Sequence, residues 1–259
     1  MMKTKWIVLS ALVLSLGYKL QAAELTADEI VAKANKAAYY AGKDGVATVK
    51  MKLSDGRQRD FTILRKNVKG GLDQKFYVYF KDPADVRKMA YLVHKHPAKN
   101  DDRWLFLPAL NLVKRIAPGD KRTSFAGSDF LYEDVSGRSL TEDTHQLVET
   151  TATQYVVNNI PKDKSSVEFS SYKVWIDKDT FLPRKAEYLD KNGKLYRRIT
   201  AEKIKTIQGY PTATEQKVED LSHGTSTIIT FSKIKYDVGL KDRIFTERFL
   251  RRPPREATR

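Results

Sequence analysis

Most of the chain shows a two-residue alternation of apolar and polar positions, the pattern of β-strands that bury one face. The alternation begins after Gly45, where four apolar residues at every second position face one way: Ala47, Val49, Met51 and Leu53. Later runs are separated by turn sequences such as Asp55-Gly56 and Asn192-Gly193, which favour β-hairpins. Short strands joined by turns at this spacing predict an antiparallel meander or barrel of about ten strands.

One clear helix is predicted before the strands. Thr26 and Glu29 have the spacing of a capping box, and Gly42 ends the run. Small residues line one helical face at Ala34, Ala37 and Ala41. Such a face lets a helix lie close to a sheet, either as ordinary packing or as part of a binding surface. The absence of a Gly-rich βα turn argues against a doubly wound α/β fold.

Residues 1–23 have the pattern of a secretory signal peptide. Lys3 and Lys5 precede an apolar run at residues 6–16, which is too short to span a bilayer, and Ala22-Ala23 offers a small-residue cleavage site. An uncleaved anchor is the alternative. No linker or composition shift divides residues 24–259, so we expect a single domain there. The Arg-rich end, residues 245–259, is expected to be a frayed basic tail.

Charge and cysteine content narrow the classes of partner. The 259 residues carry a formal net charge of +15, which favours anionic partners such as lipid headgroups, acidic proteins or nucleic acid. A well-solvated basic surface is the alternative, and secretion argues against nucleic acid. The chain has no cysteine, which excludes disulfides, thiolate metal sites, cysteine nucleophiles and N-terminal lipidation. The mature protein is therefore expected to be secreted and not to be a lipoprotein itself.

No constellation of polar residues points to catalysis or to a cofactor. His94 and His96 could share a strand face, but no nearby acid completes a metal site, so no metal is predicted. Glu133 and Asp134 are adjacent and should point apart, which makes them a poor acid–base pair. They are expected instead to cap the segment and to pair with Arg115 or Arg122. The sequence around Ser128 lacks the second glycine of a nucleophile elbow, and no base is placed for it. We therefore predict a protein that is not an enzyme.

The apolar and aromatic residues suggest a ligand instead. A sheet of this size, covered by one helix and a short segment, resembles a barrel large enough to enclose a cavity. A closed core filled by these side chains is the alternative. Burial of a sixteen-carbon chain would contribute on the order of 12 kcal/mol before ordering costs. The candidate ligand-binding residues are Phe76, Val78, Phe80, Met89, Tyr91, Trp104, Phe106, Phe125, Phe130 and Trp175.

The stretch from Asp102 to Val135 carries a family resemblance. It contains Pro108-Ala109-Leu110, Arg115, and a segment read as SFAGSDFLYED at residues 124–134, which we call the hatch. This order closely resembles the signature of outer-membrane lipoprotein-sorting proteins of the LolA-like superfamily, in a branch without an assigned function. The signal peptide, the N-terminal helix and Trp175-Ile176-Asp177 also fit that branch, so the resemblance covers nearly all of residues 24–259.

The resemblance implies both a fold and a function. The implied fold is mainly β: an unclosed antiparallel β-barrel, with an N-terminal helix and a short helical plug on its concave face. The implied function is that of a periplasmic carrier, which binds the acyl chains of a lipid or lipoprotein and shuttles it towards the outer membrane. An inner-membrane exporter of the resistance–nodulation–division type and an anionic membrane surface are the implied partners. A periplasmic adaptor or sensor, whose barrel is filled by its own side chains, is the alternative.

The resemblance also assigns roles within this stretch. Trp104, Phe106, Phe125 and Phe130 are expected in the cavity or its hatch. Arg115 is expected to tether and gate the hatch through one of its three acids, Asp129, Glu133 or Asp134.

Overall fold

The structure, a computed structural model, describes residues 24–259. The predicted signal peptide at residues 1–23 lies outside the described residues. Within the described part, no helix combines the length and the apolar character needed to cross a membrane.

One antiparallel sheet of 13 strands forms the body of the protein. The strands are β1 Asp44–Leu53, β2 Gln58–Asn67, β3 Gln74–Asp82, β4 Ala90–Lys95, β5 Asp102–Leu107, β6 Leu112–Ile116, β7 Asp143–Thr150, β8 Gln154–Pro161, β9 Phe169–Asp177, β10 Pro183–Asp190, β11 Leu195–Ile207, β12 Tyr210–Asp220 and β13 Thr225–Tyr236. Two meanders, β1 to β6 and β7 to β13, join where β1 pairs with β13. The outermost strands, β6 and β7, do not pair with each other, so the barrel stays open. The predicted mainly β fold, an unclosed antiparallel barrel, is confirmed.

The first helix, α1 Ala27–Tyr39, lies on the concave face of the sheet. Its capping box is formed: the backbone N–H of Thr26 donates to Glu29 Oε2 at 2.8 Å, and that of Glu29 donates to Thr26 Oγ1 at 3.3 Å. Ile30 and Ala34 are buried against Val157 and Ile176 of β8 and β9. The helix therefore docks on the second meander through the face that the sequence predicted.

The connection between β6 and β7, residues 117–142, contains the hatch and also crosses the concave face. It holds two 3₁₀ turns, Pro118–Asp120 and Leu140–Glu142, and the short helix α2, Tyr132–Ser136. Phe125 is 2% exposed, and its ring centroid lies 5.5 Å from that of Phe80 and 5.6 Å from that of Tyr91. Aromatic packing therefore holds the hatch against β3 and β4, as a short helical plug.

The C-terminal residues pack on the opposite, convex face. This strap, residues 240–258, includes the 3₁₀ turn Asp242–Ile244 and the helices α3, Arg248–Arg251, and α4, Arg255–Thr258. Phe245 and Leu250 are fully buried, in a cluster with Leu92 and Tyr77, and the Tyr77 hydroxyl donates to the Phe249 carbonyl at 2.7 Å. The expected frayed tail is therefore corrected: its apolar residues are widely spaced among arginines, but each one covers the sheet.

Candidate functional site

A mainly apolar cavity of about 400 Å³ lies between α1, the hatch and the concave face. Its lining comes from both meanders, so the sheet curves around it. Apolar lining residues are Ala34, Ala37 and Ala38 on α1, Phe125, Phe130 and Val135 on the connection, and Phe61, Ile63, Phe76, Val78, Val174, Ile199, Ala201, Ala213, Ile229 and Phe231 on the strands.

Small side chains keep this space open. Ala47, Ala201 and Ala213 occupy cavity-facing positions on β1, β11 and β12, where a larger aliphatic side chain would fill the space. Ala37 and Ala38 on α1 also line the cavity, and their short side chains fill little of it. The alanine face of α1 therefore serves both interpretations made from the sequence, because Ala34 packs on the sheet and also lines the cavity.

Four of the ten predicted ligand-binding residues line the cavity: Phe76, Val78, Phe125 and Phe130. They share one face because residues two apart on a strand point the same way, and the hatch folds back over β3. These four are the candidate residues that the structure brings together.

Three more, Phe80, Met89 and Tyr91, stand behind the hatch. They belong to the same buried cluster as Phe125 but do not line the cavity. The Tyr91 hydroxyl donates to the Tyr132 carbonyl at 3.3 Å. Their place in the structure is to support the hatch.

The remaining three, Trp104, Phe106 and Trp175, lie on the convex face. Phe106 and Trp104 pack with the strap cluster, whereas their neighbour Leu105 belongs to the concave cluster. The Lys185 ammonium lies 3.6 Å from the centroid of the Trp175 ring. The structure corrects the expectation that these three residues line the cavity, because a shift of one residue along a strand reverses the face.

Arg115 also lies away from the hatch. It pairs with Asp102 on β5, and its guanidinium lies 5.8 Å from the centroid of the Trp104 ring, so it faces the convex side. Its side chain is 68% exposed and contacts none of the acids of the hatch. The expected tether through Arg115 is therefore replaced by other cations.

Glu133 is the centre of a buried ionic cluster within the connection. Its carboxylate lies 2.5 Å from Arg122 Nη1, 3.2 Å from Lys121 Nζ and 3.3 Å from Arg138 Nη1. Burial alone would raise the pKa of Glu133, but attraction to Arg122, Lys121 and Arg138 outweighs it and holds the pKa below its ordinary value. Glu133 is therefore an ionised carboxylate that holds three cations together, and it is unsuited to act as a general acid.

The cluster is anchored to strands of the second meander. Arg122 Nη2 lies 2.6 Å from Glu168 Oε1, next to the start of β9, and Arg138 Nη2 lies 2.8 Å from Asp143 Oδ1 of β7. From the first meander, Lys95 of β4 donates to the carbonyls of Ser136 and Gly137. The connection is thus fastened to both sides of the open barrel.

Arg197 of β11 pairs with a second acid of the hatch. Its Nη2 lies 2.5 Å from Asp134 Oδ2, and its guanidinium lies 5.3 Å from the centroid of the Tyr188 ring. Asp129 completes the attachment, because the Thr227 hydroxyl of β13 donates to its carboxylate at 2.6 Å, as does that of Thr225 at 2.5 Å. All three predicted hatch acids therefore have partners, and none of these partners is Arg115.

The sequence predicted Arg122 as a partner of the acids, and it pairs with Glu133. Arg197 was not predicted, although its position in the strand pattern is unusual. It stands two residues before Ile199 and four before Ala201, at a position where the alternation requires an apolar residue. A charged residue on an otherwise apolar strand face predicts a buried partner. Within the described residues, no group of three or more His, Asp or Glu side chains is placed to hold a metal ion.

Comparison with known proteins agrees with this architecture. A family model described as that of an uncharacterized protein matches residues 72–252. No functionally curated protein is significantly similar to the chain.

Three solved structures share the fold over most of the chain. An outer membrane lipoprotein-sorting protein domain from Vibrio parahaemolyticus is 31% identical, with a TM-score of 0.78 over 87% of this chain and 98% of that one. A DUF1329 family protein from Desulfovibrio piger is 29% identical, with a TM-score of 0.79 over 86% and 97%. A LolA superfamily protein from Nitrosomonas europaea is 22% identical, with a TM-score of 0.65 over 87% and 100%, which concerns the fold alone. The chain therefore belongs to the DUF1329 family, and its fold is LolA-like.

Proposed function

We propose that this protein is a periplasmic carrier that binds the acyl chains of a lipid or lipoprotein and shuttles them towards the outer membrane. The observation that carries the proposal is the apolar cavity of about 400 Å³ beneath α1 and the hatch. An adaptor or sensor with a barrel filled by its own side chains would have no need of this space, so we prefer the carrier.

The physical basis is burial of hydrocarbon. Each methylene group removed from water contributes about 0.8 kcal/mol, so a cavity with few polar groups can bind a chain without specific hydrogen bonds. No constellation of catalytic residues accompanies the cavity, in keeping with binding and release of an unchanged cargo. The expected handover partner is an inner-membrane exporter of the resistance–nodulation–division type, and the basic surface suits an anionic membrane.

We propose that the hatch gates this cavity. Phe125 and Phe130 form part of the lining, and the same segment carries Asp134, which pairs with Arg197. Movement of the hatch would expose or close the apolar lining in one step. Arg197 therefore takes the gating role that the sequence assigned to Arg115.

The proposal is tested with protein purified from periplasm. Native mass spectrometry followed by lipid extraction should detect bound acyl lipid, and sequencing of the mature N-terminus tests export with cleavage. After delipidation, the protein should bind a neutral apolar dye such as N-phenyl-1-naphthylamine. If the purified protein carries no acyl lipid and the delipidated protein binds no dye, the carrier proposal is wrong.

A pair of variants places the ligand in the cavity. Ala201→Trp on β11 puts a large side chain into the space, and we expect it to reduce dye binding at least tenfold. Thr200→Trp is the matched control, because its side chain points to the convex face of the same strand. Equal affinities of the two variants would place the binding site elsewhere.

A further inference from the structure

The two ends of the cavity differ in exposure. At one end, Phe125 and Phe130 are buried, and Arg57 at the β1–β2 turn donates to the Gly127 carbonyl at 3.4 Å. The opposite end, which we call the mouth, is lined by Pro183, Arg184, Pro211, Thr212, Tyr236 and Asn35, all partly exposed. Because the strands are antiparallel, the start of β12 and the end of β13 meet there. A ligand that enters chain-first would leave its headgroup at the mouth.

Arg184 is a cation at the mouth with an unused guanidinium. It is the extra residue of a bulge between the pairs Pro183↔Ile176 and Lys185↔Trp175, and it shares the cavity-lining face with Ala186. Among residues 24–259, its guanidinium makes no ion pair and no side-chain hydrogen bond. A guanidinium has five donors in a fork that fits a carboxylate or phosphate.

The acids nearest to the mouth are already engaged. Asp177 Oδ1 accepts hydrogen bonds from the backbone and hydroxyl of Thr180 at 2.9 and 2.8 Å. Asp237 Oδ1 accepts one from the backbone of Lys43 at 2.7 Å. Burial opposes ionisation of Asp177, but hydrogen bonds from Thr180 and Asp179, together with attraction to Arg184, lower its pKa. An anionic ligand would therefore share the charge of Arg184 with Asp177 without displacing a direct contact.

We infer that the ligand is an acyl amphiphile with an anionic headgroup, carboxylate or phosphate, which Arg184 contacts at the mouth while the hydrocarbon fills the cavity. This inference rests on the proposed carrier function, which it narrows to a class of lipid.

The test compares four amphiphiles with the same 14-carbon chain, as competitors of N-phenyl-1-naphthylamine on delipidated protein. They are tetradecanoate, tetradecyl phosphate, tetradecanol and tetradecyltrimethylammonium, used below their aggregation limits. We expect at least one anion to bind about tenfold more tightly than the alcohol, the scale of one charge-assisted hydrogen bond, and the cation to bind most weakly. The order of the two anions identifies the headgroup.

Two variants assign this preference to Arg184. Arg184→Gln should remove the preference for anions and leave the affinity for tetradecanol within twofold, and Arg184→Glu should favour the cation. Arg248→Gln, at an exposed arginine of the strap on the convex face, is the matched control and should change none of the four affinities.

Two outcomes overturn the inference. If the alcohol binds as tightly as both anions, or if Arg184→Gln leaves the preference intact, the headgroup assignment is wrong and the carrier proposal stands. If neither the dye nor any amphiphile binds, the carrier proposal fails together with it.

Discussion

Replacement of Arg197 by glutamine should release the hatch and leave the sheet folded. The side chains of Arg197 and Asp134 are 5% and 14% exposed, so the variant leaves a carboxylate with little access to water. Loss of one partner of a buried ion pair costs about 3–5 kcal/mol. Asp134 keeps a hydrogen bond from the backbone N–H of Leu131 at 2.7 Å, so we expect a loss of stability at the lower end of this range, about 3 kcal/mol.

This loss is a large part of a typical domain stability of about 5–15 kcal/mol, yet most molecules should stay folded. At roughly 2–4 °C per kcal/mol for a domain of this size, the thermal midpoint should fall by about 6–12 °C. Hydrogen exchange should accelerate at the hatch amides, such as that of Phe125, which donates to the Phe130 carbonyl at 2.7 Å. Amides in the centre of the sheet should keep their protection.

A double-mutant cycle separates the ion pair from other effects of the substitution. Asp134→Asn combined with Arg197→Gln should recover about 1–3 kcal/mol relative to the sum of the single changes. Arg115→Gln is the matched control and should change stability by less than about 0.5 kcal/mol, because its pair with Asp102 is exposed. The gating hypothesis is refuted if Arg197→Gln behaves like this control, or if exchange accelerates equally throughout the sheet.

Three further predictions concern the strap, the connection and pH. Phe245→Ala should cost about 3–5 kcal/mol in urea denaturation, because the ring is fully buried; an unchanged midpoint would mean that the strap is frayed. Gly137→Ala should lower the thermal midpoint clearly more than Gly193→Ala: both glycines have φ near +80°, but only at Gly137 would a new Cβ meet a ring, 2.6 Å from Tyr39 Cζ. Equal effects would exclude the clash. Burial opposes ionisation of Glu168, but its hydrogen bonds and its charge pairing with an arginine of the connection lower its pKa from 4.5 to about 2. The contribution of Glu168 to stability is therefore complete above pH 4.5 and is lost as the pH falls through 2. The thermal midpoint of Glu168→Gln should therefore depend less on pH between 4.5 and 2 than that of the wild type; parallel curves would contradict this.

The alternation of apolar residues was sufficient to predict the strands, but it did not predict which face of the sheet each residue occupies. On β5, Leu105 packs on the concave side, and Trp104 and Phe106 pack on the convex side. Both faces of this strand are covered, so hydrophobicity alone cannot distinguish them. The faces could not be assigned because the sequence did not predict that the strap covers the convex side. The apolar residues of the strap are too widely spaced to stand out among its arginines.

The ion-pair partner of Asp134 could not be predicted from the sequence for a different reason. Glu133 pairs with cations near in sequence, whereas Asp134 pairs with Arg197, 63 residues away. Charge counting shows that acids and arginines are present, but their pairing depends on which strand passes beneath the hatch. The resemblance suggested Arg115 as the tether, whereas Arg122, two residues before the hatch, is the arginine that pairs with Glu133.

The order of the strands has a consequence for the kinetics of folding. Each meander can form from hairpins between neighbours in sequence, but the two meet only through β1 and β13, where Gly45 pairs with Tyr236. Closing so long a loop is slow, so this pairing should limit the folding rate. The hatch contacts β4 and β11 at once and can dock only after the meanders have joined. Substitutions at Val49 or Ile229 should therefore slow folding, whereas substitutions in the hatch should mainly speed unfolding. The cavity is completed at the last step, so every folding molecule passes through a state in which the apolar lining of the cavity is uncovered.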